Sequence, residues 1–184
     1  MRVVLMHGKD TDPSKKWYPW LAQEMKARGI DFAAPVLPSP GNPHVAAWLA
    51  VLEMTRPDED TVLIGHSRGG VTILRWLERL PAGKRVRKVI LVAVNSGRLQ
   101  DKAIPEESNH GFYTEAGYDC VAIKQHCADF VVLHSRDDQW VPFSAGEYNA
   151  QALGAEFVAL DGRGHFGKDV DAIQELLAEI VDIF

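Results

Sequence analysis

The sequence predicts an α/β fold: about six mostly parallel strands in the order 2-1-3-4-5-6, with helices on both faces. Strand-like and helix-like stretches alternate along all 184 residues, which is the pattern of a parallel sheet with crossover helices. The stretches 89–94 and 130–134 are almost uninterrupted apolar runs, as central strands need when both faces are covered. Right-handed crossovers then place the first and third strands side by side near the middle of the sheet.

The first strand is expected at 3–6. A helix over 14–28 follows, with Ser14 as its N-cap and Gly29 ending it. A second, weaker strand spans 31–37 and runs into Pro38-Ser39-Pro40-Gly41-Asn42-Pro43, which can only be loop. Residues 44–55 carry apolar side chains at helical spacing (Val45, Trp48, Leu49, Leu52), with Pro57 just beyond. The third strand covers 61–65, and the helix after it continues to about Leu80, before Pro81. Past the strand at 89–94, residues 95–118 fit no strand and are long for a loop. Gly97, Pro105, Gly111 and Gly117 punctuate this stretch, and it is expected to be a short lid or cap. The chain closes with a strand at 130–134, a helix at 143–153 ended by Gly154, a strand at 156–160 and an amphipathic helix at 170–184. One domain covering 1–184 is expected.

Bulk composition excludes several functions. Hydrophobic residues make up 46% and charged residues 24%, with 20 basic side chains against 25 acidic ones and a net charge of −5. No basic footprint for nucleic acid or an anionic membrane results. No apolar run reaches membrane-spanning length. The N-terminal apolar stretch is too short for a signal peptide, and Cys120 and Cys127 are too few for a disulfide framework. A cytoplasmic protein with reduced thiols is expected.

The chemistry centres on residues 61–77, where the β-branched run Thr61-Val62-Leu63-Ile64 enters Gly65-His66-Ser67-Arg68-Gly69 and a helical pattern leaves it. A G-x-S-x-G turn between a strand and a helix is the nucleophile elbow of α/β-hydrolases. Ser67 must stand on a sharp turn so that its hydroxyl clears the sheet, and glycines flank it because a Cβ there would collide with a neighbouring element. The following helix points its amide end at the site and favours negative charge beside Ser67.

An activated serine needs a base, and the base needs an acid that fixes its tautomer. The order Ser, acid, His is the one this fold requires. Asp137 and Asp138 stand directly after the strand at 130–134, and His165 follows the last strand between Gly164 and Phe166. The predicted triad is Ser67, Asp138 and His165. Two backbone N–H groups, those of Lys9 and Arg68, are expected to form the oxyanion hole; their side chains are expected to face solvent. Trp140 beside the acid, together with His7 and Gly8 after the first strand, is the candidate lining of a substrate pocket.

The chain resembles the YdeN-like serine hydrolases, a family with a mammalian member called retinoblastoma-binding protein nine. The resemblance spans essentially the whole chain and rests on His7-Gly8, Trp17-Tyr18-Pro19-Trp20-Leu21, Gly65-His66-Ser67, Asp137-Asp138-Gln139-Trp140-Val141-Pro142-Phe143-Ser144 and Gly164-His165-Phe166. It implies a compact α/β-hydrolase without the extra N-terminal strands of larger relatives. It also implies that Asp138, four residues before Pro142, is the acid rather than Asp137. Many relatives carry a smaller or apolar residue after the serine; Arg68 here leaves the backbone role intact and bears on substrate preference.

Trp17, Trp20, Trp48 and Trp76 lie at helical spacing and are expected in the core, and His66 is expected beneath the elbow. His7, His66 and His134 are not at zinc-ligand spacing, and neither a nucleotide-binding glycine motif nor H-E-x-x-H occurs, so no metal and no cofactor are expected. The predicted activity is carboxylesterase-like: cleavage of a small ester, thioester or amide through an acyl-enzyme on Ser67. The rival expectation is a hydrolase-shaped protein that acts mainly by binding a protein partner, with weak residual turnover.

Overall fold

The computed structural model describes residues 1–99 and 109–183. Six parallel strands form one sheet in the order β2-β1-β3-β4-β5-β6. They are β1 (Arg2–Met6), β2 (Asp31–Ala33), β3 (Thr61–His66), β4 (Lys88–Val92), β5 (Phe130–Ser135) and β6 (Glu156–Leu160). The described helices are α1 (Tyr18–Ala27), α2 (Val45–Met54), α3 (Arg68–Leu77), α4 (Cys120–Lys124), α5 (Phe143–Leu153) and α6 (Gln174–Val181).

Alternation along each strand divides the core into two layers. Val4, Met6, Leu63, Leu91 and Val132 face a cluster that includes Trp48 and Leu52 of α2, Leu74 and Leu77 of α3, and Leu153 of α5. Val3, Leu5, Ile64, Ile90 and Leu133 face the opposite cluster, with Trp17 beside Leu21 and Met25 of α1, and Leu176 and Ile180 of α6. Both faces of β3 and β4 are therefore dry, and every residue of the two strands is buried. The loops at the carboxyl ends of β1, β3, β5 and β6 open on one edge of the sheet, where ligands of such folds bind.

Several boundaries differ from expectation. Helix α1 begins at Tyr18 rather than Ser14, because Asp12 captures the Ser14 backbone N–H at 2.8 Å and its hydroxyl at 2.5 Å. Lys16 then takes a left-handed backbone (φ 56°) that no helix can include. β2 stops at Ala33, two residues before Pro35. α6 begins at Gln174, since Ile173 is extended (φ −128°, ψ 90°), although Val170 and Ile173 are buried as the periodicity requires. The sequence reading gave no element at α4, whose N-cap Asp119 accepts the Ala122 N–H at 3.0 Å.

The lid expected over 95–118 falls partly on residues 100–108, outside the described residues. Its flanks are tied to α3 by the buried Arg75. That guanidinium donates to the carbonyls of Phe112 at 3.0 Å, Gly117 at 2.9 Å and Gly97 at 3.2 Å. It pairs with Glu78 at 2.9 Å and lies over the Tyr118 ring at 4.8 Å. Cys127 is buried and Cys120 half-buried, both as free thiols. Among the described residues, no helix is long and apolar enough to cross a membrane.

Candidate active site

Ser67 links β3 to α3 with φ 52° and ψ −122°, a strained conformation for a residue with a side chain. Close packing of glycine enforces the turn. A Cβ on Gly65 would overlap Gly70 backbone, and one on Gly69 would overlap the carbonyl oxygens of Met6 and His7. The Ser67 N–H is held by the Val92 carbonyl of the adjacent strand at 2.8 Å, so the backbone is anchored while the hydroxyl is left to the site. Arg68 follows directly and opens α3.

Two loops converge on Ser67. His165 Nε2 lies 2.9 Å from Ser67 Oγ, and His165 Nδ1 lies 2.7 Å from Asp138 Oδ2. The hydroxyl, imidazole and carboxylate thus form one continuous hydrogen-bonded line across residues nearly a hundred positions apart. Asp138 is firmly seated: its other oxygen accepts the N–H groups of Trp140 at 2.8 Å and Val141 at 2.9 Å. His134 Nε2 lies 3.4 Å from Oδ2. Burial raises the pKa of this carboxyl, but hydrogen bonds from His134 and His165 outweigh it and hold the group well below the usual carboxylate range. Asp138 is therefore ionised and can only accept.

Asp137 has a different task. Its carboxylate accepts the Ser135 hydroxyl and the Gly164 N–H, the latter at 3.2 Å, while Ser135 Oγ accepts the Arg163 N–H at 3.1 Å. Together these bonds fasten the loop before His165 to the end of β5.

Gly8 backs directly onto the elbow, since a Cβ there would stand 3.3 Å from Ser67 Cβ. Lys9, the other expected oxyanion donor, follows it on the same loop, with its side chain partly exposed and 3.7 Å from Asp10. Arg68 departs from expectation: its side chain is buried, with the guanidinium 4.9 Å from the Phe112 ring centroid and 5.4 Å from that of Tyr113. Aromatic faces attract the cation and turn it from solvent. His7, expected to line the pocket, is instead buried. Its Nδ1 donates to the Gly8 carbonyl at 2.8 Å, and its Nε2 accepts the Leu37 N–H at 3.0 Å. It pins the loop from within. Trp140 is 62% exposed and helps line a cleft of about 440 Å³ beside His165, together with Lys16, Gln139, Arg163 and Lys168.

His66 is the residue whose part in the site the sequence reading missed. It is fully buried, as expected beneath the elbow, yet both ring nitrogens are engaged: Nδ1 lies 2.6 Å from Tyr18 Oη and Nε2 lies 3.0 Å from the His165 carbonyl oxygen. The signals in the sequence were a histidine at the end of a largely apolar strand and its place in the Gly65-His66-Ser67 motif. Among the described residues, no group of three or more His, Cys, Asp or Glu side chains could hold a metal.

The sheet order, the strained elbow and the converging loops define the α/β-hydrolase fold. The particular family follows from comparison: residues 3–174 match the family model described as Serine hydrolase, and the chain belongs to that family. It is 31% identical over 170 residues to YdeN of Bacillus subtilis (strain 168), covering 91% of this chain and 87% of that protein. It is 28% identical over 166 residues to the serine hydrolase RBBP9 of Rattus norvegicus, covering 89% and 85%. The crystal structure of the B. subtilis ydeN gene product superposes with a TM-score of 0.87 at 27% identity, over 98% of this chain and 97% of that one. Est1E from Butyrivibrio proteoclasticus shares the fold at 16% identity, with a TM-score of 0.70 over 99% and 85%.

Proposed function

We propose that this serine hydrolase is a carboxylesterase-like enzyme that cleaves a small ester, thioester or amide through an acyl-enzyme on Ser67. The observation that carries the proposal is the unbroken line from Ser67 Oγ through His165 to Asp138, at 2.9 and 2.7 Å. Because Asp138 is ionised, His165 must carry its hydrogen on Nδ1, which leaves the Nε2 lone pair facing the serine hydroxyl.

As Ser67 Oγ attacks the substrate carbonyl, its proton passes to His165 Nε2. The imidazolium that forms is stabilised by Asp138, which keeps its own charge. The former carbonyl oxygen gains negative charge and is received by the N–H groups of Lys9 and Arg68, each such donor being worth about 2.7–4 kcal/mol of barrier. His165 then returns the proton to the departing alcohol, thiol or amine, leaving the acyl group on Ser67. Water, deprotonated by the same Nε2, releases the carboxylic acid and restores the serine.

The test is turnover of p-nitrophenyl acetate by wild type and Ser67→Ala. Wild type is expected to turn over, and the variant to fall to the background rate with its fold intact. An unchanged rate in the variant overturns the proposal.

A further inference from the structure

Four polar groups behind the elbow have only one consistent arrangement of hydrogens. The His165 carbonyl oxygen can only accept, so the His66 Nε2 at 3.0 Å must carry hydrogen. A neutral imidazole then presents a lone pair at Nδ1, and the Tyr18 hydroxyl at 2.6 Å must donate to it. The Tyr18 oxygen is thereby free to accept the Gly8 N–H at 3.3 Å. The line reads Gly8 N–H to Tyr18 O–H to His66 Nδ1, and from the far side of the ring His66 Nε2–H to the His165 carbonyl.

We propose that Tyr18 and His66 are positioning residues that couple the oxyanion loop after β1 to the loop carrying His165. The proposal rests on the triad reading above. Both ends of the line are backbone atoms of site loops. One is the amide immediately before Lys9, and the other is the carbonyl of the proposed base itself. Ordinary core packing would satisfy a buried histidine on the scaffold. Here the ring bonds to α1 on one side and to the catalytic loop on the other, directly behind the nucleophile.

Neighbouring groups favour the neutral ring. Trp17 and Tyr18 meet it edge-on with centroids 5.9 Å away, and the His165 ring lies at 5.1 Å. Burial, helped by the positive charge of Lys16, pushes the His66 pKa well below the ordinary histidine value. Burial likewise pushes the Tyr18 phenol up, so it keeps its hydrogen. Gly8 closes the packing, since a Cβ there would stand 3.1 Å from His66 Nδ1.

The experiment uses the full chain and the variants Tyr18→Phe, His66→Gln and His66→Met, with Ser67→Ala as control. Nitrogen NMR of wild-type side chains is expected to show His66 as the neutral Nε2–H tautomer from pH 5.5 to 9. On p-nitrophenyl acetate, Tyr18→Phe is expected to lower kcat roughly tenfold with KM within about twofold, as for a small misplacement of reacting groups. His66→Gln, whose amide N–H can reach toward the His165 carbonyl, is expected to keep more of kcat than His66→Met at equal folded fraction. A Nδ1–H tautomer, wild-type kcat in Tyr18→Phe, or equal kcat in the two His66 variants overturns the proposal. If those results come with an inactive Ser67→Ala, the coupling fails and the triad stands; an active Ser67→Ala removes the triad reading instead.

Discussion

Asp137 and Asp138, adjacent in the chain, grip two neighbouring points of one loop: Asp138 receives the His165 ring at 2.7 Å, and Asp137 receives the Gly164 N–H at 3.2 Å. The first contact acts on the proposed base and the second on the backbone that carries it. Asp138→Asn, which can hold His165 in the wrong tautomer, is expected to lower kcat by about 10⁴. Asp137→Asn is expected to lower it by less than about tenfold, since only the tether of the loop is weakened. Steady-state kinetics on the two variants checks the assignment; the reverse order would exchange the roles.

Gly69 is a packing requirement of the elbow. Its missing Cβ makes room for the Met6 and His7 carbonyls, which are backbone and cannot rotate away. Gly69→Ala is expected to destabilise by about 1–3 kcal/mol or more, seen as a lower urea midpoint with an unchanged m-value, together with lost turnover.

Arg75 is the anchor of the segments on either side of 100–108. Its removal takes a charged donor from three carbonyls and the cation from Glu78, although Thr114 still bonds the Gly97 and Gly117 carbonyls and the Asp119 N–H still bonds Glu78. Arg75→Met is expected to cost about 3–5 kcal/mol, the scale for breaking a buried pair. Limited proteolysis should then cut first between residues 95 and 118.

His66 and His7 contribute to the loss of stability in acid. His66 and His7 have pKa values lowered from 6.5, burial being the first cause in each. Below pH 6.5 the unfolded chain therefore binds protons that the folded chain refuses, and stability falls as pH falls. Each such proton contributes a slope of up to about 1.4 kcal/mol per pH unit. His66→Gln should reduce that slope by one proton between pH 5 and 6, read from urea unfolding; an identical slope would show that His66 protonates in the folded state.

The sheet was legible in the sequence because β3, β4 and β5 are buried on both faces, and apolar runs fill their middles. The elbow was legible because close packing admits only glycine at Gly65 and Gly69. Helix starts were less so. Asp12 and Lys16 create a turn where periodicity alone continues a helix back to Ser14, and Ile173 is extended although its side chain keeps the apolar rhythm. The choice between Asp137 and Asp138 needed the family pattern, since both carboxylates sit in the same loop. The link from Tyr18 to His66 was illegible, because it depends on one ring nitrogen and a phenol meeting across 48 residues of chain.

The most direct measurement is intact-mass analysis after treatment with a fluorophosphonate, followed by peptide mapping. One adduct per chain on Ser67, absent in Ser67→Ala and suppressed in His165→Ala, is the expected result. Equal labelling of the Ser67→Ala chain, or an adduct on another residue, would contradict the account.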